Sequence, residues 1–291
     1  MTDSPSNTTD SRLRVTAVVP MYNASRTIVR TLESIRAQTR PVDAIVVVDD
    51  HSTDNSRALV EGMALPNLEL ISTPRNSGPG AARNVGVRHA ATEWVALLDS
   101  DDLWMPTFIE DVTGAIAKLN ADFASAGGQR VKQYRDTPKV QRRAIGGDAG
   151  EAVDMTRDFW RTARRFMPVH SSSVVLKKSL FEKAGGFPED MRNGEDVSLW
   201  MRLWLFGRFA FVNKPLFESS AVATGLAAGR LSYGDVRRGL WRMAVTLKDA
   251  IRARRPGTGQ FAIWFAGRIF HRHAVYFAKR LRPRGRAAKR A

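Results

Sequence analysis

Three carboxylates within four residues follow a short apolar run. Asp99, Asp101 and Asp102 come directly after Trp94–Leu98, which has the pattern of a buried strand. Clustered carboxylates repel one another unless a cation or hydrogen-bond donors neutralise them, and Mg²⁺ takes oxygen ligands that it shares with substrate phosphates. The segment therefore indicates a metal–diphosphate site at the carboxyl end of a sheet strand, where open α/β sheets bind ligands. The alternative is a polar loop whose acids cap a following helix that begins near Pro106.

The elements that must position these acids alternate between strand and helix patterns over the first ~120 residues. Short apolar runs between helices are typical of buried parallel strands in βαβ units, and right-handed crossovers then give a doubly wound, mostly parallel sheet. The predicted strands are Arg14–Val19, Ile45–Val48, Leu68–Ile71 and Trp94–Leu98, and the predicted helices are Ser25–Ala37, Asp54–Ala64 and Pro79–Ala91.

The pattern weakens after Phe123. We expect a long surface loop over Gln129–Glu151, because polar, basic and glycine residues mix there without periodicity. Beyond it, the sequence predicts a strand at Val174–Leu176 and helices at Ser179–Ala184 and Asp196–Phe206.

The charge of the chain is strongly basic and unevenly distributed. The net charge is +16, and Arg252–Ala291 holds twelve Arg or Lys residues without any Asp or Glu. Such an excess favours an anionic partner, although a solvated basic tail is the simpler reading. The chain has no cysteine, which excludes disulfides and thiolate metal sites. With a polar N-terminus and no apolar run of bilayer length, we expect a cytoplasmic protein, peripheral on the inner face of the cell membrane.

The C-terminal region is predicted to be helical from Ser232, with a break near Pro256-Gly257. On a helical wheel, basic residues lie opposite one apolar face. That face contains Ile263, Phe270, Ala274, Phe277 and Leu281, and the basic residues are Arg268, Arg272 and Lys279. A basic amphipathic helix with aromatic residues is typical of an anionic membrane interface, and the alternative is a helix whose apolar face packs on the domain.

Four polar segments follow predicted strands, so the fold would bring them to one edge of the sheet. They are Pro20-Met21-Tyr22-Asn23, Asp49-Asp50-His51-Ser52, the run from Arg75 to Asn84, and Asp99-Ser100-Asp101-Asp102. A fifth segment runs from Gly185 to Asp196. In order and spacing, these segments resemble the family 2 glycosyltransferases with the GT-A fold, over roughly Val15–Phe217.

The resemblance implies a division of the chain. Residues 1–12 would be a disordered tail, 13–220 a GT-A catalytic domain, and 221–291 a basic, amphipathic helical region. Within the catalytic domain, a nucleotide-binding half would cover about 13–125 and an acceptor half about 126–220.

The resemblance also implies how a nucleotide-sugar donor is held. The ring of Tyr22 would stack on the base, with Pro20 shaping the loop. Asp50 would accept a hydrogen bond from the imino N–H of uracil. Arg83 would hold phosphate or base oxygens with its guanidinium.

The acidic motifs take the chemical roles in this resemblance. Asp99 and Asp101 form a D-x-D pair around Ser100, in which one acid holds the ribose and the other binds Mn²⁺ or Mg²⁺ on the diphosphate. We take Asp101 as the metal ligand with Asp102 in support, although either alignment is tolerable.

Glu195 and Asp196 match the E-D motif of the family, and Asp196 is taken as the general base that removes the proton of the acceptor hydroxyl. Acids favoured by the dipole at a helix N-terminus are the alternative, and both can hold.

Two further side chains are candidates for contacts with the diphosphate or the acceptor. His170 could touch the diphosphate or the metal, and Trp200, one turn after Asp196, could line the acceptor pocket. A structural histidine and core packing of the tryptophan are the competing interpretations.

The sequence therefore predicts an inverting, metal-dependent hexosyltransferase. We expect its donor to be a nucleotide-sugar of the UDP class and its acceptor to be a saccharide or lipid-linked molecule of surface polysaccharide or glycolipid synthesis. A nucleotide-sugar-binding homologue without turnover and a nucleic-acid-binding protein are the alternatives. Intact acidic motifs oppose the first, and the absence of a nucleic-acid reader motif opposes the second, so no nucleic-acid partner is expected.

Overall fold

The computed structural model describes residues 12–130, 148–191, 193–219 and 233–268. The expected N-terminal tail, most of the loop over Gln129–Glu151 and the C-terminal positions from 269 onward lie outside these ranges.

Within the described ranges, nine strands form one sheet. In chain order they are β1 (Val15–Met21), β2 (Ala44–Asp49), β3 (Leu68–Ser72), β4 (Trp94–Leu97), β5 (Leu103–Trp104), β6 (Phe123–Arg130), β7 (Ala152–Asp154), β8 (Val174–Lys177) and β9 (Phe209–Ser219). Their order across the sheet is β3-β2-β1-β4-β8-β6-β9-β5, with β7 on β9.

Helices cover both faces of this sheet. They are α1 (Ile28–Arg36), α2 (Ser56–Glu61), α3 (Pro79–His89), α4 (Phe108–Leu119), α5 (Phe159–Ala163), α6 (Lys178–Ala184), α7 (Glu195–Phe206) and α8 (Tyr233–Arg252), followed by α9 over 258–268.

The first half of the sheet has the predicted parallel βαβ arrangement. β1 pairs in parallel with β2 and β4, and β2 with β3. Because parallel strands in a row end at the same edge, the polar segments after β1, β2 and β4 lie together. The order changes direction beside β1, which is the crevice where such sheets bind ligands.

The second half of the sheet is built differently. β8 runs antiparallel to β4 and β6, while β6 and β9 pair in parallel across residues far apart in sequence. The sequence predicted β8, α6 and α7, but β6, β7 and β9 were not recognised. Register shifts at Ala126–Gly128 interrupt the pairing of β6 with β9, and such irregular strands lack a clean period-two signal.

Two apolar cores cover the two faces of the sheet. One extends into the acceptor half, where Phe159, Trp160 and Phe209 pack edge to face. Aromatic side chains bury large areas and fix orientation, so this core supplies the packing that the short helix α5 could not supply alone.

The C-terminal helices are packed on the rest of the fold, which corrects part of the sequence interpretation. Phe261 and Trp264 of α9 are buried, with both ring centroids 4.5 Å from the ring of Trp160. Ile263, predicted to lie on the apolar face, is instead 55% exposed. The alternative of a helix packed on the domain therefore holds for 258–268, and the other apolar positions of that face lie outside the described residues.

The break between α8 and α9 occurs at the predicted place. Gly257 has a φ of +88°, and a Cβ added there would lie 2.6 Å from the carbonyl oxygen of Arg157. Only glycine fits this close approach without strain. Within the part of the chain that is described, no helix has the length and apolar content to cross a membrane.

Candidate active site

The first wall of the site is the loop after β1. Tyr22 is 41% exposed at the end of the strand, and the following loop is tied down because Ser52 Oγ accepts a bond from the Asn23 backbone N–H at 3.0 Å. Pro20 is buried inside β1 beside Val48 rather than in the loop. Its predicted loop-shaping role is therefore corrected to a strand position, whereas the ring of Tyr22 remains available for stacking on a base.

Asp50, at the end of β2, organises the next loop. Its buried carboxylate accepts hydrogen bonds from Thr73 Oγ1 at 2.7 Å and from the backbone N–H groups of Ser77 and Gly78 at 3.0 and 2.7 Å. Charge-assisted bonds of this kind are strong, so Asp50 holds the loop that opens α3. Its contact with uracil stays a prediction, and the structure adds a role in ordering this loop.

Helix α3 lies very close to the sheet and thereby aims Arg83. A Cβ added to Gly86 would lie 2.4 Å from Val18 Cγ1 and 2.9 Å from Val48 Cγ2. Glycine is required for this approach. Arg83, nearly one turn earlier, consequently points along the sheet edge rather than into water.

Arg83 is the centre of the site. Its buried guanidinium donates from Nη2 to Asp99 Oδ1 at 2.5 Å, and its Nη1 lies 3.8 Å from Glu195 Oε1. The guanidinium also lies over the Phe187 ring, 5.2 Å from the centroid. Burial disfavours its charge, but attraction to Asp99 and then to Glu195 raises the pKa of Arg83 above its ordinary value.

The contact of Arg83 with the nucleotide stays a prediction, and the structure adds contacts of Arg83 within the protein. The side chain pairs with two carboxylates of the protein, while its Nε and Nη1 are buried without a hydrogen-bond partner. Arg83 therefore joins the D-x-D segment to the E-D pair, which sequence spacing did not reveal.

The D-x-D segment is held by serine and threonine side chains. Ser172 Oγ donates to Asp102 Oδ2 at 2.5 Å and accepts from the Asp99 backbone N–H at 3.2 Å. Thr31 Oγ1 donates to the backbone carbonyls of Ser100 and Asp102 at 3.0 and 2.9 Å. These bonds fix the turn, so the acids keep their spacing before any ligand binds.

Asp99 is kept ionised by its neighbours. Burial disfavours the carboxylate, but the charge of Arg83 and the hydrogen bonds from Arg83 and Ser172 hold the pKa of Asp99 below its ordinary value. His170 Nδ1 accepts a bond from the Ser172 N–H at 3.1 Å, and its ring stacks on Phe217 at 5.0 Å. His170 thus lies beside the acids, and its contact with a diphosphate or a metal stays a prediction.

The donor set at this turn fits a divalent ion shared with a substrate. Among the described residues, no group of three or more His, Cys, Asp or Glu side chains is placed to enclose a metal. Mg²⁺ and Mn²⁺ do not need such a cage when one or two carboxylates act together with substrate phosphates. Asp101 is half-buried and Asp102 is buried, which suits Asp101 as the ligand and Asp102 as its support.

The E-D pair opens helix α7. Gly194, with a φ of +81°, precedes the helix, and Asp196 Oδ1 accepts a bond from the Val197 N–H at 2.7 Å. Both carboxylates lie at the helix N-terminus, where the dipole favours negative charge. The helix-start alternative is therefore correct as a structural description and compatible with a catalytic role.

Glu195 differs from Asp99 although both face Arg83. Burial, and then the neighbouring charge of Asp196, raise the pKa of Glu195 from 4.5 to about 7, and the attraction of Arg83 only partly opposes this. Its side chain is 13% exposed. Asp196, at the next position, is also half-buried, and its role as the base stays a prediction.

The loop before α7 is fixed by a residue that the sequence interpretation did not single out. Asn84 of α3 donates to the carbonyl of Phe187 and accepts from its N–H, both at 2.8 Å. Gly186 precedes this contact with a φ of +65°, and a Cβ there would lie 2.8 Å from Asn84 Oδ1. One indication of this role was available in the sequence, because Asn84 directly follows the candidate residue Arg83.

Trp200 does not reach the site. It is fully buried, with its ring 5.8 Å from that of Phe187 in an edge-to-face contact. A side chain without exposed surface cannot contact an acceptor, so the predicted role of Trp200 is corrected to core packing. Phe187 in turn supports Arg83, so Trp200 acts on the site only through this packing.

The C-terminal helices reach the E-D pair. Arg242 of α8 donates from Nη2 to Asp190 Oδ1 at 2.8 Å. Arg268 of α9 lies over the Trp264 ring at 5.2 Å, and burial lowers its pKa against the attraction of Asp196. Arg268 was predicted to lie opposite the apolar face of its helix, and the structure places it half-buried, within the electrostatic reach of Asp196.

Comparisons with known proteins agree with this geometry. The profile of "Glycosyl transferase family 2" matches residues 16–183, more than half of the chain. The Rhizobium meliloti succinoglycan biosynthesis protein ExoO is 42% identical over 42% of this chain and 37% of its own length. The Escherichia coli protein WfgD, named a UDP-Glc:alpha-D-GlcNAc-diphosphoundecaprenol beta-1,3-glucosyltransferase, is 32% identical over 68% of this chain and 73% of its own length.

Several relatives are longer proteins. The chain spans 26–37% of the length of ExoO and of three Rickettsia glycosyltransferases. Among solved structures, Staphylococcus aureus TarS in complex with UDP-GlcNAc has a TM-score of 0.72 at 22% identity, covering 89% of this chain and 73% of TarS. At that identity the likeness concerns the GT-A fold. The profile match and the identity to WfgD establish that this chain belongs to glycosyl transferase family 2.

Proposed function

We propose that this protein is an inverting glycosyltransferase that moves a hexosyl group from a nucleotide-sugar donor to a hydroxyl group of its acceptor. One observation carries the proposal: Arg83 lies between Asp99 and Glu195, at 2.5 and 3.8 Å. The donor-side acids and the E-D pair therefore share one buried cation. A donor held at the first and an acceptor at the second would meet in one crevice.

Asp196 is the base in this mechanism. The acceptor oxygen attacks the anomeric carbon, the bond from that carbon to the diphosphate oxygen breaks, and the hydroxyl proton passes to the Asp196 carboxylate. The nucleoside diphosphate leaves from the opposite face, which inverts the anomeric centre. Arg83 attracts both Glu195 and Asp196, so its cation lies beside the acid pair that receives the proton.

Asp101, with Asp102 beside it, would hold Mn²⁺ or Mg²⁺ on the donor diphosphate. Such an ion, when bound, offsets the charge that develops on the leaving diphosphate. The hydrogen bonds from Ser172 and Thr31 keep the turn in the geometry that this binding needs.

A uridine donor is supported by three features. Tyr22 offers an exposed ring at the end of β1, and Asp50 is one strand away. The TarS structures carry UDP and UDP-GlcNAc in their titles, and the GalNAc-T7 structure, at a TM-score of 0.63, carries UDP and Mn²⁺. We take UDP-sugar as the donor class on this basis.

The acceptor is proposed to be a saccharide, carried on a lipid diphosphate, in surface polysaccharide or glycolipid synthesis. The support is the printed acceptor of WfgD and the succinoglycan role in the name of ExoO. Together with the basic C-terminal region, this favours work at an anionic membrane on its cytoplasmic face.

Calorimetry with UDP, GDP, dTDP and CMP, with and without Mn²⁺, tests the donor site on the wild type and on Asp101→Ala. We expect UDP to bind with Mn²⁺ and to lose most affinity in the variant or without the ion. The matched control is Asp111→Ala. Asp111 is a partly exposed acid of α4 that pairs with Lys214, and its variant should bind UDP like the wild type. Tight binding of another nucleotide would overturn the uridine assignment, and failure of all four to bind would overturn the enzyme proposal.

A further inference from the structure

Large apolar side chains are exposed at very few places on the described surface. They are Tyr22, at the donor site, and Trp241, Ile251 and Ile263, all in the C-terminal helices. Trp241 is 64% exposed and Ile251 60%. Folded proteins routinely expose single apolar residues. Here, however, every exposed large apolar side chain of the described surface outside the donor site lies in α8 or α9, and this grouping indicates an interaction surface.

We propose that one face of α8 lies on an anionic lipid bilayer and carries the site to a lipid-linked acceptor. We name this face, formed by Arg237, Trp241, Lys248, Ile251 and Arg252, the α8 outer face. The proposal rests on the proposed function only for the lipid anchor of the acceptor. It differs from the sequence interpretation, which assigned membrane contact to positions after 257.

The spacing of these residues makes the α8 outer face continuous. Positions 237, 241, 248 and 252 are separated by four, seven and four residues, which places them within roughly 60° on a helix of 3.6 residues per turn. Ile251 borders them. All five side chains are exposed.

The opposite side of α8 is fixed to the protein, so the orientation of the outer face is set. Val236, Met243 and Ala250 are buried, and Met243 and Ala250 belong to the core that also contains Trp204. The helix is therefore not free to turn its apolar side to a membrane. What it presents outward is the basic and aromatic stripe.

The chemistry of the α8 outer face fits lipid headgroups. Its charged members are Arg237, Lys248 and Arg252, all cations, and the nearest acid on the helix, Asp249, is half-buried on the flank. Basic residues near an anionic leaflet are each attracted to it, and tryptophan prefers the membrane–water interface. A second copy of this basic surface would be repelled.

The α8 outer face is also close to the reacting groups. Arg242, on the flank of the same helix, bonds Asp190 at 2.8 Å, and Asp190 lies in the loop that leads into Glu195. A helix with its side chains is about 10 Å across. A bilayer under α8 would therefore lie near the E-D pair, which suits an acceptor whose lipid stays in the membrane.

Sedimentation of the full chain with vesicles tests this inference. The vesicles are phosphatidylcholine alone or phosphatidylcholine mixed with phosphatidylglycerol. We expect binding to the mixed vesicles only, and binding weaker by at least about a hundredfold in the triple variant Arg237→Glu/Lys248→Glu/Arg252→Glu. Each basic residue contributes roughly a factor of five, and the introduced acids add repulsion. The control Arg30→Glu/Arg36→Glu/Lys118→Glu makes the same charge change on α1 and α4 and should bind like the wild type.

Tryptophan fluorescence gives an independent readout. Six of the seven tryptophans are buried and Trp241 is the exposed one. Brominated lipids should therefore quench a signal that is present in the wild type and missing in Trp241→Phe. Equal loss of binding in both triple variants would mean non-specific attraction and would overturn the proposal, as would unquenched Trp241 in vesicle-bound protein or preferential binding of an oligonucleotide over vesicles.

The two proposals fail separately. UDP binding should be the same in the triple variants as in the wild type, because the substitutions lie on exposed helix faces. If vesicle binding follows the α8 outer face while no nucleotide binds, the membrane proposal stands and the enzyme proposal fails. If UDP binds and vesicle binding does not depend on the outer face, the membrane proposal alone is overturned.

Discussion

Two acidic regions face the same arginine and respond to it in opposite ways. At the end of β4, the charge of Arg83 outweighs burial and holds the pKa of Asp99 below its usual range. At the start of α7, burial and the charge of Asp196 outweigh Arg83 and raise the pKa of Glu195 to about 7. Distance accounts for much of the difference, since Arg83 lies 2.5 Å from Asp99 and 3.8 Å from Glu195.

The difference separates two chemical tasks. An acid that stays ionised suits the binding of hydroxyl groups and cations, which the donor side requires. A pair of adjacent acids, one of which holds its proton near neutral pH, suits proton transfer. On the proposed function, Arg83 would divide the crevice into a binding side around Asp99 and a proton-transfer side around Glu195 and Asp196. Three variants test that division.

The largest effect is expected from Asp196→Asn. Removing the base should lower turnover about 10²- to 10⁴-fold while UDP binding is unchanged. Initial rates and calorimetry on the same preparations measure the two quantities. Asp158→Asn, a partly exposed acid before α5, is the control and should keep normal rates.

One outcome of that experiment would exchange the roles of Asp196 and Glu195. If Asp196→Asn retains its activity and Glu195→Gln loses it, the proton passes to Glu195. The assignment of the base to Asp196 would then be wrong, although the proton-transfer side would remain in the same place.

A smaller effect is expected from Arg83→Met, which removes the shared cation. Breaking a buried ion pair leaves uncompensated charges, which costs about 3 kcal/mol or more of unfolding free energy. Urea denaturation measures the loss, and Arg88→Met, an exposed position on the same helix, should change stability by less than about 0.5 kcal/mol. Equal stability of the two variants would mean that Arg83 does not join the two sides.

Much of the binding side could be predicted from the sequence. Its strands are short apolar runs between helices, and each is followed directly by its polar segment, so local order alone places Tyr22, Asp50 and Asp99 at one edge. What local order could not give is the partner of Arg83, because Glu195 is more than a hundred residues away. Spacing along the chain carries no information on such a contact.

The proton-transfer side was harder to predict for the same reason. β6 pairs with β9 across about ninety residues and with register shifts, so no short window carries its signal. The helical wheel also misjudged α9, where Phe261 and Trp264 are buried and Ile263 is exposed. The wheel assumed one apolar face through position 281, whereas packing against Trp160 selects another face within 258–268.

The smallest effect is expected in the pH dependence of the stability of Glu195→Gln. It is also the effect that tests the difference between Glu195 and Asp99 most directly. A carboxyl whose pKa is raised from 4.5 to about 7 in the folded state stabilises the fold fully below pH 4.5 and loses that contribution as the pH rises through 7. Glutamine does not titrate. The free energy of unfolding of the variant, relative to that of the wild type, should therefore increase by about 1–3 kcal/mol between pH 4 and pH 8.

Urea denaturation gives the free energies of unfolding of the variant and the wild type at both pH values, and the change in their difference is the gain. Glu182→Gln, at an exposed position of α6, should shift by less than about 0.5 kcal/mol. For Asp99→Asn the expected sign is opposite, since a pKa lowered from 3.8 stabilises the fold above pH 3.8 and loses that contribution as the pH falls below it. This variant is therefore compared with the wild type between pH 4 and a more acidic pH. If Glu195→Gln and Asp99→Asn shift in the same direction, the two acids do not differ in the way that the geometry around Arg83 requires.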